Sequence, residues 1–373
     1  MTVDLQPLLA GLEILEGTGP EFKGFISNHG PMACEALVTM GLGERAPQWA
    51  TRYRAQLEGP APVRFAIGPD DYHEALGRAD RLGDWIALMR RQVVEHPWLT
   101  VLNRWWPRLL PGLAAAGMHG VIRTAHAVRA LTATTGDPGP LLVDELAQGL
   151  AYWAARYQRL PGNPTLTGTV SLAEALPRLP RLDKATESPA PGISGRMQAL
   201  EDLPGFTTAL DRYRPATPPS LNPADADTAQ TDAACHATLD ELISAAARVL
   251  IARPAGAAPV AFCHTITAPA AIRLVLPHLA PAHRAPSVAT AWQVLGGVVA
   301  SFAPRPGDDG QDWHTHQPAP EHGTLLQRAH DSNDEHVIKL TEATLREHAR
   351  SGDTTLLHAA TVFADRMHIV LNG

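Results

Sequence analysis

The chain has 373 residues, 45% of them hydrophobic and 18% charged, the composition of a globular protein large enough for two lobes or one large helical domain. A formal net charge of −7, with no basic run, argues against nucleic acid as the main partner. Seventeen histidines are many for this length and give a first hint of metal or proton chemistry.

Residues 1–20 read as a short helix and a Gly/Pro turn; with Asp4 and no basic lead, no signal peptide is expected. GFISNHGPMACEALVTMGLGE reads as a helix capped by Ser27 or Asn28, with Pro31 in its first turn and Gly41 or Gly43 at its end. After a connector at Arg64–Gly68, Tyr72–His96 reads as helical until Pro97 breaks it. Two further helices are separated near Gly117–Gly120, and Val143–Leu160 is another. From Pro161 to Thr228 the sequence turns rich in Pro, Thr, Ala and Asp. This stretch reads as a surface excursion with short helices, in the position of a lid. Helices return at Ala233–Ala252, in PVAFCHTITAPAAIRLVLPHLAP and at His283–Ala300; a polar loop, Gly307–His322, precedes two last helices.

Strand alternation is nowhere sustained, so the fold class is all-α: a large helical bundle with a Pro-rich irregular excursion. The expected organisation is one integrated domain, with helical halves at 1–160 and 229–373, the excursion at 161–228 and the site between the halves. No apolar run approaches the roughly 20 residues needed to cross a bilayer, so no membrane partner is expected. Cys34, Cys235 and Cys263 are scattered, odd in number and outside any CxxC pair, as in a cytoplasmic protein with reduced thiols.

Three histidines stand at or near the start of Ala-rich aliphatic helices: His29 before GPMACEAL, His119 before GVIRTAHAVRAL and His264 before TITAPAAIRLVL. His358 heads AATVFADRM in the same way. Taken singly, each also reads as a capping or core histidine. Four in similar settings point to a shared site, because imidazoles on separate helices can meet inside a bundle and bind iron, copper or zinc when neutral. In DSNDEHVIKLTEATLREHA, Asp334 is the expected helix cap, and His336 and Lys339 share a helix side. Lys339, between Ile338 and Leu340, either snorkels to the surface or turns inward, where burial would lower its pKa and make it a nucleophile or ligand precursor. His126, two turns beyond His119, would orient a ligand or line a pocket. Arg123 would meet an anionic substrate group or form a surface salt bridge, and Glu35 would support a ligand or lie exposed. The pair in Asp312-Trp313-His314-Thr315-His316 reads as an exposed loop feature.

No GxGxxG follows a strand (LGGVVASF, Leu295–Phe302, is the nearest glycine pair), and GxSxG, P-loop, HExxH and HxD patterns are missing. Any metal site here has an unusual ligand set.

Four blocks, SNHGPMACEAL, MHGVIRTAHAVRAL, FCHTITAPAAIRLVLPHL and DEHVIKLTEATLRE, resemble in order and spacing the questin oxidase-like family, over about Pro20 to Met367. The family is known from fungal pathways that cleave or ring-expand anthraquinones and related aromatic polyketides. Its members were first described as Baeyer–Villiger oxidases needing a reduced nicotinamide cofactor. A better-defined relative is a non-haem iron dioxygenase whose iron is held by four histidines and a carboxylated lysine. The resemblance therefore implies His29, His119 and His264 as iron ligands, Lys339 as a carbamate formed with carbon dioxide, and His336 or His358 as the fourth histidine. It implies an oxygenase that takes dioxygen and an aromatic polyketide and cleaves a ring. The alternatives are an NADPH-dependent Baeyer–Villiger-type oxidase without bound flavin and a non-catalytic helical binding protein. This chain is shorter than its fungal relatives, and its Pro-rich middle is its own.

Overall fold

The structure, a computed structural model, describes residues 4–68, 70–183, 185–225, 227–253, 258–304 and 318–372. Among these the strands form one short antiparallel hairpin, β1 (Glu21–Phe22) with β2 (Ile26–Ser27); helices dominate the rest, and the fold is all-α. Two compact units divide the chain, Met1–Gln158 with Ala329–Glu342, and Arg159–Arg328 with Ala343–Gly373.

The first unit contains α1 (Gln6–Leu15), α2 (Gly30–Thr39), α3 (Arg45–Arg54), α4 (Leu82–Glu95), α5 (Trp98–Leu109), α6 (His119–Ala133) and α7 (Gly139–Ala155). Just before α1, Asp4 accepts from the Gln6 amide at 3.0 Å, and Leu8, Leu12 and Leu15 then bury at helical spacing. The stretch Tyr72–His96 is not one helix. Two 3-10 turns, Tyr72–Ala75 and Ala79–Arg81, precede α4, with Gly77 at φ +72° turning the chain between them. Helix α7 starts at Gly139 and ends at Ala155, about a turn earlier than its apolar pattern suggests. Glycines let α6 and α7 pack almost backbone to backbone: a Cβ on Gly120 would fall 2.6 Å from Trp153, and one on Gly149 2.9 Å from Thr124. Trp106 meets Trp153 edge-on with ring centres 5.2 Å apart, a geometry worth about 1 kcal/mol beyond the buried area.

The second unit contains α8 (Leu172–Arg178), α9 (Gly192–Gln198), α10 (Phe206–Leu210), α11 (Ala229–Ala252), α12 (Pro259–Val275), α13 (Arg284–Phe302) and most of α14 (His322–Asp331). The last helices are α15 (Glu335–Ser351), whose residues to Glu342 count with the first unit, and α16 (Thr355–Asn372). Thr228 caps α11 by accepting from the Thr231 amide, so this helix starts a turn before the apolar run. The Pro-rich stretch carries short helices and is largely exposed, but it is anchored by buried side chains. Leu172, Leu179, Met197, Leu200, Phe206 and Leu210 are buried, and a Cβ on Gly296 of α13 would stand 2.6 Å from the Leu210 side chain. Trp292 donates its indole N–H to the Leu210 carbonyl, and the Gln293 amide reaches three carbonyls from Leu160 to Gly162. Buried side chains and tertiary hydrogen bonds, rather than helix periodicity, order this segment.

Pro259–His278 is, by length and composition, long and apolar enough to cross a membrane, contrary to the expectation above. Of its most apolar window 83% is buried inside the fold, as in a core helix, and Arg273 on it pairs with Glu347.

Candidate metal centre

Three helices of the first unit begin at one place, and each begins at a histidine. His29 precedes α2, with the Asn28 side chain accepting from the Gly30 amide at 2.9 Å; His119 is the first residue of α6, and His336 the second of α15. Asp334 caps α15, its Oδ1 accepting from the amides of His336 and Val337, both at 2.9 Å. His29, His119 and His336 are all buried, and each offers a ring nitrogen within 4.8 Å of the others.

The approach to His119 is strained. Ala116, Gly117 and Met118 have φ of +50°, +63° and +73°, a left-handed run that only glycine adopts without cost. The turn brings the Ala116 carbonyl 2.5 Å from His119 Nδ1. A carbonyl only accepts, so this contact places the His119 proton on Nδ1 and leaves a lone pair on Nε2. That Nε2 lies 2.7 Å from Nε2 of His29. On its other side, His29 Nδ1 stands 3.3 Å from Glu335 Oε1 and 3.3 Å from the Tyr53 hydroxyl, which also accepts from the His29 amide at 3.0 Å.

Burial, then the charge of Lys339, pushes His119 down to about 3; the same causes, with His119 added, hold His336 well below its ordinary value. Both imidazoles are neutral at physiological pH, the form that ligates metal. Burial and the Asp334 charge raise Glu335 to about 7, and burial keeps the Tyr53 phenol protonated. Lys339, one turn beyond His336, is 1% exposed and does not snorkel.

The other singled-out residues are placed as follows. His264 is fully buried on α12 of the second unit, and His358 is half-buried on α16. Arg123 forms a buried rather than a surface ion pair, donating to Glu145 from Nη2 at 2.8 Å and from Nε at 3.1 Å. His126 Nδ1 meets Glu35 Oε2 at 2.6 Å, so Glu35 supports His126 and not His29. Asp312 to His316 lie outside the described residues. The sequence reading missed Glu335, Tyr53 and the turn at Ala116–Met118. Glu335 sits inside the D-E-H run, Tyr53 closes the stripe Ala46, Trp49, Ala50, Tyr53 on α3, and the left-handed turn has only Gly117 to announce it.

The sequence profile of the family described as questin oxidase-like matches residues 26–344, which contain every residue of this histidine cluster. The chain belongs to the questin oxidase-like family. No curated protein matches it. Membership in the questin oxidase-like family points to an oxidase of aromatic polyketide metabolism that acts on a small molecule.

Proposed function

We propose that this member of the questin oxidase-like family is an iron-dependent oxygenase that opens a ring of an aromatic polyketide, such as an anthraquinone, by oxidative C–C cleavage. The observation that carries the reading is the meeting of His29 and His119 through Nε2 atoms 2.7 Å apart, with the His119 proton committed to the Ala116 carbonyl. If His29 donates its Nδ1 proton to Glu335, two lone pairs face each other and call for a cation between them. Imidazoles sharing one ion stand about 3 Å apart or more, since each nitrogen lies about 2.1 Å from the metal, so a small opening accommodates it.

In this reading His29, His119 and His336 hold the metal together with Lys339, and His336 is the choice over His358 because it belongs to the cluster. Iron(II) bound there supplies the one-electron chemistry with dioxygen that ring cleavage needs. Once its ammonium has given up a proton, the Lys339 amine would add carbon dioxide: an N–C bond forms, a second proton leaves, and the carbamate offers an anionic oxygen. Glu335 and the Ala116 carbonyl hold the proton-bearing Nδ1 atoms and aim both Nε2 atoms at one point. Burial of all three rings keeps water away from reactive species.

A cavity of about 510 Å³ in the first unit, lined by Leu12, Leu15, Pro31, Val93, Arg123 and Leu141 among others, is of a size for an aromatic ligand. Pro31 is two residues from His29 and Arg123 four from His119, so its wall lies within a helical turn of the imidazoles. Arg123 Nη1 has no hydrogen-bond partner among the described residues and is the donor for a quinone carbonyl or phenolate oxygen.

Metal analysis of protein purified without oxygen, together with dioxygen uptake on hydroxylated anthraquinones, tests the reading. Stoichiometric iron that His119→Ala and His336→Ala each lose, with uptake that depends on iron, is expected. Protein that takes up no iron(II) but oxidises the same compounds at the expense of NADPH would favour the Baeyer–Villiger-type alternative, and metal-free protein that only binds them the non-catalytic one.

A further inference from the structure

Beneath the histidine cluster lies a second buried polar layer. Glu35 on α2, Arg129 on α6 and Glu342 on α15 form one ion-pair chain: Arg129 donates from Nε to Glu35 Oε1 at 2.6 Å, from Nη2 to Glu35 Oε2, and from Nη1 to Glu342 Oε1. All three side chains are at most 14% exposed. These are the helices that begin at the three histidines. Glu35 comes six residues after His29 and Glu342 six after His336, so both carboxylates sit about 9 Å along their helices from the imidazoles.

We propose that Arg129 is a positioning residue for the metal centre. One guanidinium fixes the axial register of α2, α6 and α15, and thereby decides whether the three ring nitrogens meet. Register is the degree of freedom that apolar packing controls least, since a helix can shift along its axis and exchange one aliphatic contact for another. A planar guanidinium bonded on both edges cannot follow such a shift without leaving a buried carboxylate unpaired. With His126 neutral the layer also carries one net negative charge, which favours a cation nearby.

The inference rests on the metal-site reading, and the test keeps the two apart. Cobalt(II) alone is titrated into the full-length protein and read from its visible absorption. The variants are Arg129→Met, Arg129→Lys and the uncharged triple Glu35→Gln/Arg129→Met/Glu342→Gln. Arg156→Met, which breaks the Arg156–Glu21 pair elsewhere in the same unit, is the comparator for lost stability. We expect Arg129→Met to weaken cobalt binding about 10- to 100-fold and change the band shape, Arg129→Lys to recover part of both, and Arg156→Met to bind as wild type. The triple variant, with no unpaired buried charge, keeps the test open if Arg129→Met fails to fold, and it too should bind weakly. Wild-type affinity and spectrum in a folded Arg129→Met or triple variant would overturn the inference alone. Wild-type protein that binds no cobalt would overturn the metal-site reading and the inference with it.

Discussion

His119 donates its Nδ1 proton to the carbonyl of Ala116, three residues earlier in the chain, across 2.5 Å. The bond closes a left-handed turn through Gly117 and Met118, so the tautomer of one imidazole depends on a backbone conformation that most residues resist.

Gly117→Ala should therefore destabilise the metal-free protein by about 1 kcal/mol, because a Cβ at φ +63° meets its own carbonyl. Urea unfolding measures this; an unchanged midpoint would mean that the turn is not strained.

Glu335→Gln should weaken metal binding at least about 10-fold, because the carboxylate 3.3 Å from His29 Nδ1 holds that ring. Tyr53→Phe should cost less, since the carboxylate remains. Isothermal titration with cobalt(II) compares them, and the opposite ranking would transfer the orienting role to the phenol.

Lys339→Ala should lose metal and activity, and Lys339→Glu should recover part of the metal by supplying a carboxylate in place of the carbamate. Full metal occupancy in Lys339→Ala would rule out the carbamate. Lys339 is also among the largest fully buried side chains, so both variants need a check of folding by circular dichroism.

Stability should fall as pH drops from about 4.5 towards 2. Burial works against the Glu35 charge, but Arg129 and His126 hold its carboxyl at about 2 in the fold, below its ordinary 4.5. A depressed carboxyl contributes stability that is present above the unfolded value and lost as pH falls through the folded one, on the order of 3 kcal/mol here. Urea midpoints between pH 5 and 3 should show a steep decline that flattens in the uncharged triple variant; equal slopes would show that Glu35 does not carry it.

Helix starts were the legible part of this molecule. The run of branched aliphatics after His29 and His119, and the cap at Asp334, are local signals, and the structure begins α2, α6 and α15 at those places. Helix α3 was hidden although Ala46, Trp49, Ala50 and Tyr53 keep helical spacing, because arginines and Pro47 interrupt its apolar character. The anchoring of the Pro-rich stretch was not legible, because it comes from partners far along the chain, such as Trp292 and Gln293. Within the site, histidine identities could be read from the sequence, but their environment could not. Which carboxylate meets which imidazole depends on tertiary approach, so Glu35 went to His126 and Glu335 to His29.

Three helices that begin at one point also aim the positive ends of three helix dipoles there. Each such end favours a neighbouring anion by about 0.3–1 kcal/mol, and more where water is excluded. The region is thus biased towards negative charge before any ion enters. A phenolic oxygen losing its proton, or a lysine turned into an anion, would be stabilised there by the backbone alone.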